Sequence, residues 1–224
     1  MKNIEGIIFD LDGTLLDTSY DCATAVNLTL EYFGYPTHPV KTIASFLNNG
    51  ASKLIERALP ENCRDKENVS KVLEKYLPLY AEHIYEKTVP YDGIMSFLKK
   101  AKEKNIKLGI VTNKPDPLAK TLVEKCFEKG TFEYVSGTVP GIPIKPDAHC
   151  VQTALRHMNI SAENTVFVGD SYVDVLTAKN AGLFCIGVLW GFSGEKSFLE
   201  YAPDVEVRNT KELEDVIFDT NKAE

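Results

Sequence analysis

The sequence lacks the long apolar run that a membrane-spanning helix requires. None of its apolar stretches approaches about 18 consecutive residues, and its first residues carry an acid and no hydrophobic core of a secretory signal. We therefore expect no membrane partner and a location in the cytoplasm.

Cysteine is scarce, scattered and odd in number. The sequence has five cysteines, and no two of them are spaced as Cys-x-x-Cys. This pattern argues against a disulfide framework and against a zinc ribbon. A reducing compartment is again the expected location.

Basic residues are outnumbered, with 25 Lys and Arg against 32 Asp and Glu and a net charge of -7. Duplex binding needs clustered basic residues that displace counterions, so we expect no nucleic-acid partner. The 224 residues, 44% of them hydrophobic, fit one large domain or one domain that carries a smaller one.

Five short runs rich in Ile and Val predict strands, and amphipathic stretches between most of them predict helices. The runs are continuous rather than alternating, which is typical of strands buried on both faces of a parallel sheet. Strands are predicted at residues 4–9, 106–111, 134–135, 166–168 and 184–189, and helices at 93–104, 117–128, 147–158 and 171–181. This order predicts an α/β fold, a Rossmann-like parallel sheet core flanked by helices.

One segment interrupts the alternation of strand and helix. Residues 17–86 show no convincing strand and three helical patterns, at 20–33, 40–58 and 67–85. We interpret 17–86 as an inserted all-helical cap domain, because connections within α/β units are usually short. Residues 1–16 and 87–224 then form a discontinuous catalytic core.

Two carboxylates, Asp10 and Asp12, follow the first predicted strand in the run Asp-Leu-Asp-Gly-Thr. Residues two apart at a strand end point the same way, toward the edge where open α/β sheets bind ligands. Oxygen ligands of this kind suit Mg²⁺. A calcium-binding loop would need glycine where Leu15 stands, so that alternative is excluded.

A second acidic pair, Asp170 and Asp174, follows another predicted strand. The two are four residues apart at the start of a helix, so both can face one site. Asp170 and Ser171 could instead simply cap that helix. Because two buried strands both end in paired acids, we favour a metal site.

Thr112, Asn113 and Lys145 are the candidate anion-binding residues. Thr112 and Asn113 follow the second predicted strand of the core, and a hydroxyl with backbone amides at a helix N-terminus can bind an anion. A structural cap explains them equally well. A lone lysine is usually a solvated surface charge. Lys145, however, lies in a loop that two prolines stiffen, and this favours a functional role for it.

These strand ends together supply the parts of a phosphoryl-transfer site, and the usual nucleotide-binding glycine loops are absent. Asp10 to Thr14, Thr112, Lys145, and Asp170 with Asp174 resemble, in order, the four motifs of the haloacid dehalogenase superfamily. Further similarity in sequence to this superfamily indicates its phosphoglycolate phosphatase branch, which has a helical cap. The differences lie around residues 128–137 and at Asn48, where that branch more often carries glycine.

The resemblance implies a Mg²⁺-dependent phosphatase that acts on a small phosphorylated metabolite such as phosphoglycolate. Asp10 would attack phosphorus to form a phosphoaspartyl enzyme, and Asp12 would act as acid and then base. Mg²⁺ would bind Asp10, Asp170 and the backbone carbonyl of Asp12, with Asp174 in its outer shell. Thr112, Asn113 and Lys145 would hold the transferring oxygens.

The cap would close over this edge and contact the leaving group. The candidate contacts are the Asn49-Gly50 turn with Lys53 and Arg57, which share a helical face, although plain solvation also explains the two charges. A phosphosugar mutase, a dehalogenase and a non-enzymatic phospho-Asp receiver are the alternative functions, and Asp12 argues against the last two. The oligomeric state is left open as monomer or homodimer.

Overall fold

A six-stranded parallel sheet forms the centre of the molecule in a computed structural model that describes residues 4–192 and 194–218. The strand order is β5-β4-β1-β6-β7-β8, and a separate two-stranded antiparallel ribbon joins β2 to β3. The strands are β1 (Gly6–Phe9), β2 (Leu16–Asp17), β3 (Val89–Pro90), β4 (Lys107–Pro115), β5 (Tyr134–Thr138), β6 (Thr165–Gly169), β7 (Phe184–Val188) and β8 (Val205–Val207).

Helices cover both faces of this sheet, as the continuous apolar runs predict. In β1, Ile7 and Phe9 face one apolar core and Ile8 faces the other. Every residue of β1 and β6 is buried. The helices that follow the ribbon are α5 (Ile94–Glu103), α6 (Asp116–Cys126), α7 (His149–Met158), α8 (Tyr172–Ala181) and α9 (Thr210–Phe218).

The predicted α/β class is confirmed, with differences at the ends of elements. β5 runs to Thr138, three residues beyond its predicted end, and α7 begins at His149 rather than at residue 147. β8 and α9 were not predicted. β8 has only three residues with a glutamate in the middle, which is too short to show an apolar run.

The predicted helical insertion contains α1 (Ser19–Tyr32), α2 (Val40–Ala44), α3 (Ala51–Ala58) and α4 (Lys66–His83). The single helix predicted over residues 40–58 is wrong. Asn48 and Gly50 have φ of 78° and 82°, which no α-helix accommodates, so the chain turns between α2 and α3. Within the described residues, no helix is long and apolar enough to cross a membrane.

The ribbon of β2 and β3 connects the helical insertion to the sheet, and a buried carboxylate secures it. The side chain of Asp21, in α1, accepts hydrogen bonds from the backbone N–H groups of Glu86, Lys87 and Thr88 at 2.8–3.1 Å. It also accepts one from the Thr88 hydroxyl at 2.7 Å. The two chain segments that enter and leave the insertion are thereby tied to each other.

Candidate active site

Asp10 directly follows β1, and one of its two carboxylate oxygens is held in place. Oδ1 accepts a hydrogen bond from the backbone N–H of Leu11 at 2.7 Å and pairs with Lys145 Nζ at 2.9 Å. Both contacts fall on Oδ1, so in the described part of the chain Oδ2 is left for a reaction. Burial raises the pKa of Asp10 to about 6, although Lys145 opposes the rise.

Lys145 lies between two carboxylates at the bottom of the site. Its Nζ is 2.9 Å from Asp10 Oδ1 and 2.7 Å from Asp174 Oδ1, and only 2% of its side chain is exposed. Burial alone would lower the pKa of Lys145, but Asp10 and Asp174 outweigh burial and raise it. This lysine is therefore a buried, permanently charged ammonium and not the solvated surface lysine that is the common case.

Asn113 orients the loop that carries Lys145. Its side-chain Oδ1 accepts from the backbone N–H of Lys145 at 2.9 Å, and its Nδ2 donates to the Lys145 carbonyl at 3.1 Å. The strand predicted to end at residue 111 is longer than expected. β4 continues to Pro115 with an irregular register beyond Val111, and α6 begins at Asp116, one residue before its predicted start. Thr112 and Asn113 are nevertheless buried at the sheet edge beside Asp10.

Asp170 and Asp174 lie at the end of β6, next to β1 in the sheet. Asp174 Oδ2 accepts from the N–H and hydroxyl of Ser171, completing a reciprocal cap of α8, and its Oδ1 accepts from Lys145. The capping interpretation, made for Asp170 and Ser171, is correct for Ser171, but the reciprocal partner of Ser171 is Asp174 and not Asp170. Burial, with Asp174 and Asp10 nearby, raises the pKa of Asp170 well above its ordinary value.

Asp10, Asp170 and Asp174 each offer an oxygen within 4.8 Å of the others, and this donor set fits a divalent cation. Among the residues that the structure describes, Asp170 Oδ1 is buried and has no hydrogen-bond partner, which fits an oxygen that binds a cation. Both oxygens of Asp174, in contrast, are already engaged by Ser171 and Lys145.

Glycine is needed beside Asp170 because there is no room for a side chain. A Cβ atom at Gly13 would lie 2.4 Å from Asp170 Oδ2, and one at Gly191 would lie 2.3 Å from Asp170 Cβ. Gly13 also has φ of 84°. These two glycines leave the space that the side chain of Asp170 occupies.

The carboxylate of Asp12 is bound by two residues, Lys114 and Thr18, that sequence reasoning missed. Lys114 Nζ lies 2.9 and 3.1 Å from the two Asp12 oxygens, and the Thr18 hydroxyl donates to Oδ1 at 2.7 Å. Lys114 also donates to the Tyr80 hydroxyl of α4 at 2.6 Å. The position of Lys114, two residues after Thr112 in one strand, was the available signal.

The cap candidates have different outcomes. Asn49 Nδ2 donates to the Tyr172 hydroxyl of α8 at 3.0 Å, and Gly50 lines the site beside Asn113. Arg57 donates to the Phe46 carbonyl at 2.9 Å and lines an outer groove. Lys53 does not reach the site, because its ammonium is 2.7 Å from Glu56 on the surface of α3.

Asn48 is a further contact that was not predicted. Its Nδ2 donates to Asp170 Oδ2 at 3.3 Å, and its Oδ1 is buried with no hydrogen-bond partner in residues 4–192 and 194–218. Its φ of 78° is a conformation that glycine adopts without strain. The phosphatase branch that the sequence resembles more often carries glycine at this position. The helical insertion therefore reaches the carboxylate cluster directly.

A small cavity of about 50 Å³, called the chamber below, lies between the sheet edge and the helical insertion. Asp10, Asp12 and Lys114 line it from the core, and Leu47, Tyr76 and Tyr80 line it from the insertion. The volume has room for a few water molecules. A compact group bound next to Asp10 and Asp12 would fill it.

Comparison with known proteins decides the family. The family model of haloacid dehalogenase-like hydrolases matches residues 7–188. The chain belongs to this family. As a haloacid dehalogenase-like hydrolase, it is an enzyme. The matched region runs from β1 to the end of β7 and includes Asp10, Asp12, Asp170 and Asp174.

Several curated relatives of this hydrolase are named phosphoglycolate phosphatase. The phosphoglycolate phosphatase of Pseudomonas syringae pv. tomato is 30% identical over 211 residues, covering 92% of this chain and 77% of the relative. That of Neisseria meningitidis serogroup A is 34% identical over 196 residues, covering 86% and 83%. A crystal structure of a candidate phosphoglycolate phosphatase from Lactobacillus delbrueckii subsp. bulgaricus has a TM-score of 0.90 at 30% identity, covering 96% and 98%.

Proposed function

We propose that this hydrolase is a Mg²⁺-dependent phosphatase for a small phosphate monoester, with phosphoglycolate as the leading substrate, and that it works through a phosphoaspartyl intermediate on Asp10. The observation that carries the proposal is the different environment of the two carboxylate oxygens of Asp10. Lys145 and the Leu11 N–H hold one oxygen, the other has no hydrogen-bond or ion-pair partner among the described residues, and Asp10 lines the chamber. A fixed carboxylate with one available oxygen is suited to in-line attack.

In the first step, Oδ2 of Asp10 forms a bond to phosphorus as the bond from phosphorus to the ester oxygen breaks. The departing electron pair goes to that ester oxygen, which takes a proton from Asp12. In the second step, water attacks the phosphoaspartate and gives its proton to Asp12. Inorganic phosphate leaves, and the Asp10 carboxylate is restored.

Thr112, Asn113 and Lys145 would stabilise the charge on the transferring oxygens. The Thr112 hydroxyl and the Asn113 backbone lie at the sheet edge, and the Asn113 side chain keeps Lys145 in position. Asp10, Asp170 and the backbone carbonyl of Asp12 would hold Mg²⁺, with Asp174 in its outer shell. When bound, Mg²⁺ would neutralise phosphate charge that the acids otherwise repel.

The helical insertion, residues 17–86, would act as a cap that encloses the leaving group. Asn49 and Gly50 would contact the substrate from this side, and Arg57 would lie at the mouth. The chamber of about 50 Å³ favours a leaving group of few atoms over a sugar, which agrees with the names of the curated relatives.

We place the enzyme in the cytoplasm because all five cysteines are free thiols, as a reducing compartment requires. The partner would be a small phosphorylated metabolite rather than a nucleic acid, in keeping with the net charge of -7. The enzyme would act as a monomer or homodimer.

The test is a steady-state screen of phosphate release from phosphoglycolate, sugar phosphates and nucleoside monophosphates, with and without a chelator. We expect the highest kcat/KM for phosphoglycolate, abolition of release by the chelator, and loss of turnover in Asp10→Asn. Undiminished turnover in Asp10→Asn would contradict the assignment of the nucleophile. Isomerised sugar phosphate without phosphate release would indicate the mutase instead.

A further inference from the structure

We propose that Asn48 extends the cation site from the side of the helical insertion, so that bound Mg²⁺ holds the insertion against the sheet edge. The amide oxygen of Asn48 accepts a hydrogen bond from the hydration shell of a cation bound at Asp170. This inference rests on the proposed function, because it takes Mg²⁺ as the cation of the site. Asn48 becomes a positioning residue that acts through the metal.

Asn48 and Asp170 touch each other, and each carries a buried oxygen that has no partner. In the part of the chain that the structure describes, three buried side-chain atoms lack a hydrogen-bond partner, and Oδ1 of Asn48 and Oδ1 of Asp170 are two of them. Asn48 Nδ2 donates to the other oxygen of Asp170, Oδ2, at 3.3 Å. Buried polar atoms are rarely left unsatisfied, so both oxygens indicate a bound species.

The chemistry of the two side chains fits one hydrated cation. Asp170 belongs to the carboxylate cluster that fits a divalent cation. An ionised carboxylate only accepts hydrogen bonds, so the Asn48 amide directs its Nδ2 at Asp170 and leaves its Oδ1 for a donor. Mg²⁺ keeps several of its waters when a few protein oxygens bind it. Those waters are the donors that Asn48 Oδ1 requires.

The protein donors closest to the cluster are already engaged. The backbone N–H of Phe192 donates to Asp170 Oδ2 at 3.1 Å. The ammonium of Lys145 pairs with Asp10 and Asp174 at 2.9 and 2.7 Å. The donor for Asn48 Oδ1 therefore comes from a bound species rather than from these neighbours.

The backbone at Asn48 directs the amide into the site. Asn48 lies in the turn between α2 and α3, has φ of 78° and lines the chamber. This left-handed conformation is easiest for glycine and costs free energy for a residue that has a Cβ atom. The contact of the amide with the hydrated cation offsets that cost.

The effects of Asn48 on the metal and of the metal on the insertion must be equal. Loss of an outer-shell partner typically weakens metal binding by about 10- to 100-fold. By linkage, bound Mg²⁺ favours the state in which Asn48 is engaged by the same factor. We therefore expect a factor of about ten in both measurements.

The first measurement is calorimetric titration with Mg²⁺ of the wild type and of Asn48→Gly. Glycine removes the amide and accepts the backbone conformation, so the loop keeps its path. The Kd for Mg²⁺ should rise about tenfold in Asn48→Gly. Asn105→Gly is the matched control, because Asn105 also has a positive φ, of 58°, and is exposed beyond the end of α5. Its Kd should equal that of the wild type.

The second measurement is hydrogen exchange in peptides that cover α2 and α3, the helices on either side of Asn48. Saturating Mg²⁺ should slow this exchange about tenfold in the wild type, relative to the protein in chelator, because opening of the segment breaks the contact with the cation. In Asn48→Gly the slowing should be absent.

Equal Mg²⁺ affinity of the wild type and Asn48→Gly overturns the proposal. If that equal affinity comes with a raised KM for the ester, the amide oxygen binds the substrate instead. Exchange of α2 and α3 that Mg²⁺ leaves unchanged in the wild type also overturns the proposal, whether or not Asn48→Gly folds.

The failure of the proposed function would look different from the failure of this inference. If the wild type binds no Mg²⁺, the metal dependence of the proposed function and the role of Asn48 both fall. If the wild type binds Mg²⁺ and releases phosphate, but Asn48→Gly binds Mg²⁺ equally well, the proposed function stands and only the role of Asn48 falls.

Discussion

At the scale of single residues, the site is a set of buried carboxylates balanced by two lysines. Lys145 is shared by Asp10 and Asp174, and Lys114 pairs with Asp12. Asp170 has no lysine within ion-pair distance in the described part of the chain and has a raised pKa. The imbalance around Asp170 and Asp10 is what a divalent cation would correct.

Mg²⁺ affinity should weaken as the pH falls through about 6. Asp10 has a pKa raised to about 6 by burial, so below that pH the metal must displace its proton. We expect a loss of about tenfold in affinity per pH unit for each displaced proton. Calorimetric titration with Mg²⁺ between pH 5 and 8 measures this, and an affinity that is flat over the range would contradict it.

Removing the charge of Lys145 should destabilise the metal-free protein by about 3 to 5 kcal/mol at pH 7.5, because buried carboxylates then lose their cation. The loss should shrink at pH 5.5, where carboxyls with raised pKa take up protons. Urea unfolding of Lys145→Met in chelator measures both values. Lys120→Met should behave as wild type, because Lys120 is half-exposed on α6 and pairs with Asp116. A loss in Lys145→Met that does not depend on pH would refute the explanation.

The sequence predicted those site residues that end strands. Asp10 and Asp170 follow neighbouring strands, so the geometry of a parallel sheet brings them together. Asn48 and Tyr80 could not be predicted, because they come from the helical insertion and their approach depends on how it packs. Lys114 was hidden for a different reason, since a lysine near a strand end is usually exposed.

At the scale of elements, the junction between sheet and insertion depends on the carboxylate of Asp21. It accepts three backbone N–H groups and one hydroxyl from Glu86 to Thr88. From the sequence, Asp21 is only a polar residue in a predicted helix. Its role could not be predicted, because its hydrogen-bond donors lie about 65 residues further along the chain.

Asp21→Ala should lower the free energy of unfolding by about 3 kcal/mol, because three backbone N–H groups, of which that of Thr88 is buried, and the Thr88 hydroxyl lose their acceptor. Chemical denaturation of the variant measures the loss. Asp92→Ala is the control, since Asp92 is an exposed carboxylate next to the same ribbon. Equal stability of the two variants would show that Asp21 does not secure the junction.

At the scale of the whole molecule, the alternation of apolar runs and amphipathic stretches predicts the parallel sheet. β1 and β6, the two strands that are followed by acidic pairs, are neighbours in the sheet. β8 lies at the sheet edge, and its three residues are too few to show an apolar pattern in the sequence. The break between α2 and α3 was missed because the apolar periodicity resumes after Gly50. That break is also where Asn48 enters the site.

The most direct test of the central claim is to trap the intermediate during turnover. Rapid acid quench of the enzyme with Mg²⁺ and phosphoglycolate, followed by peptide mass spectrometry, should find a phosphoryl group on the peptide that contains Asp10. Asp10→Asn should show none. A phosphoryl group on another residue, or full product release with no phosphorylated enzyme at any quench time, would contradict the account.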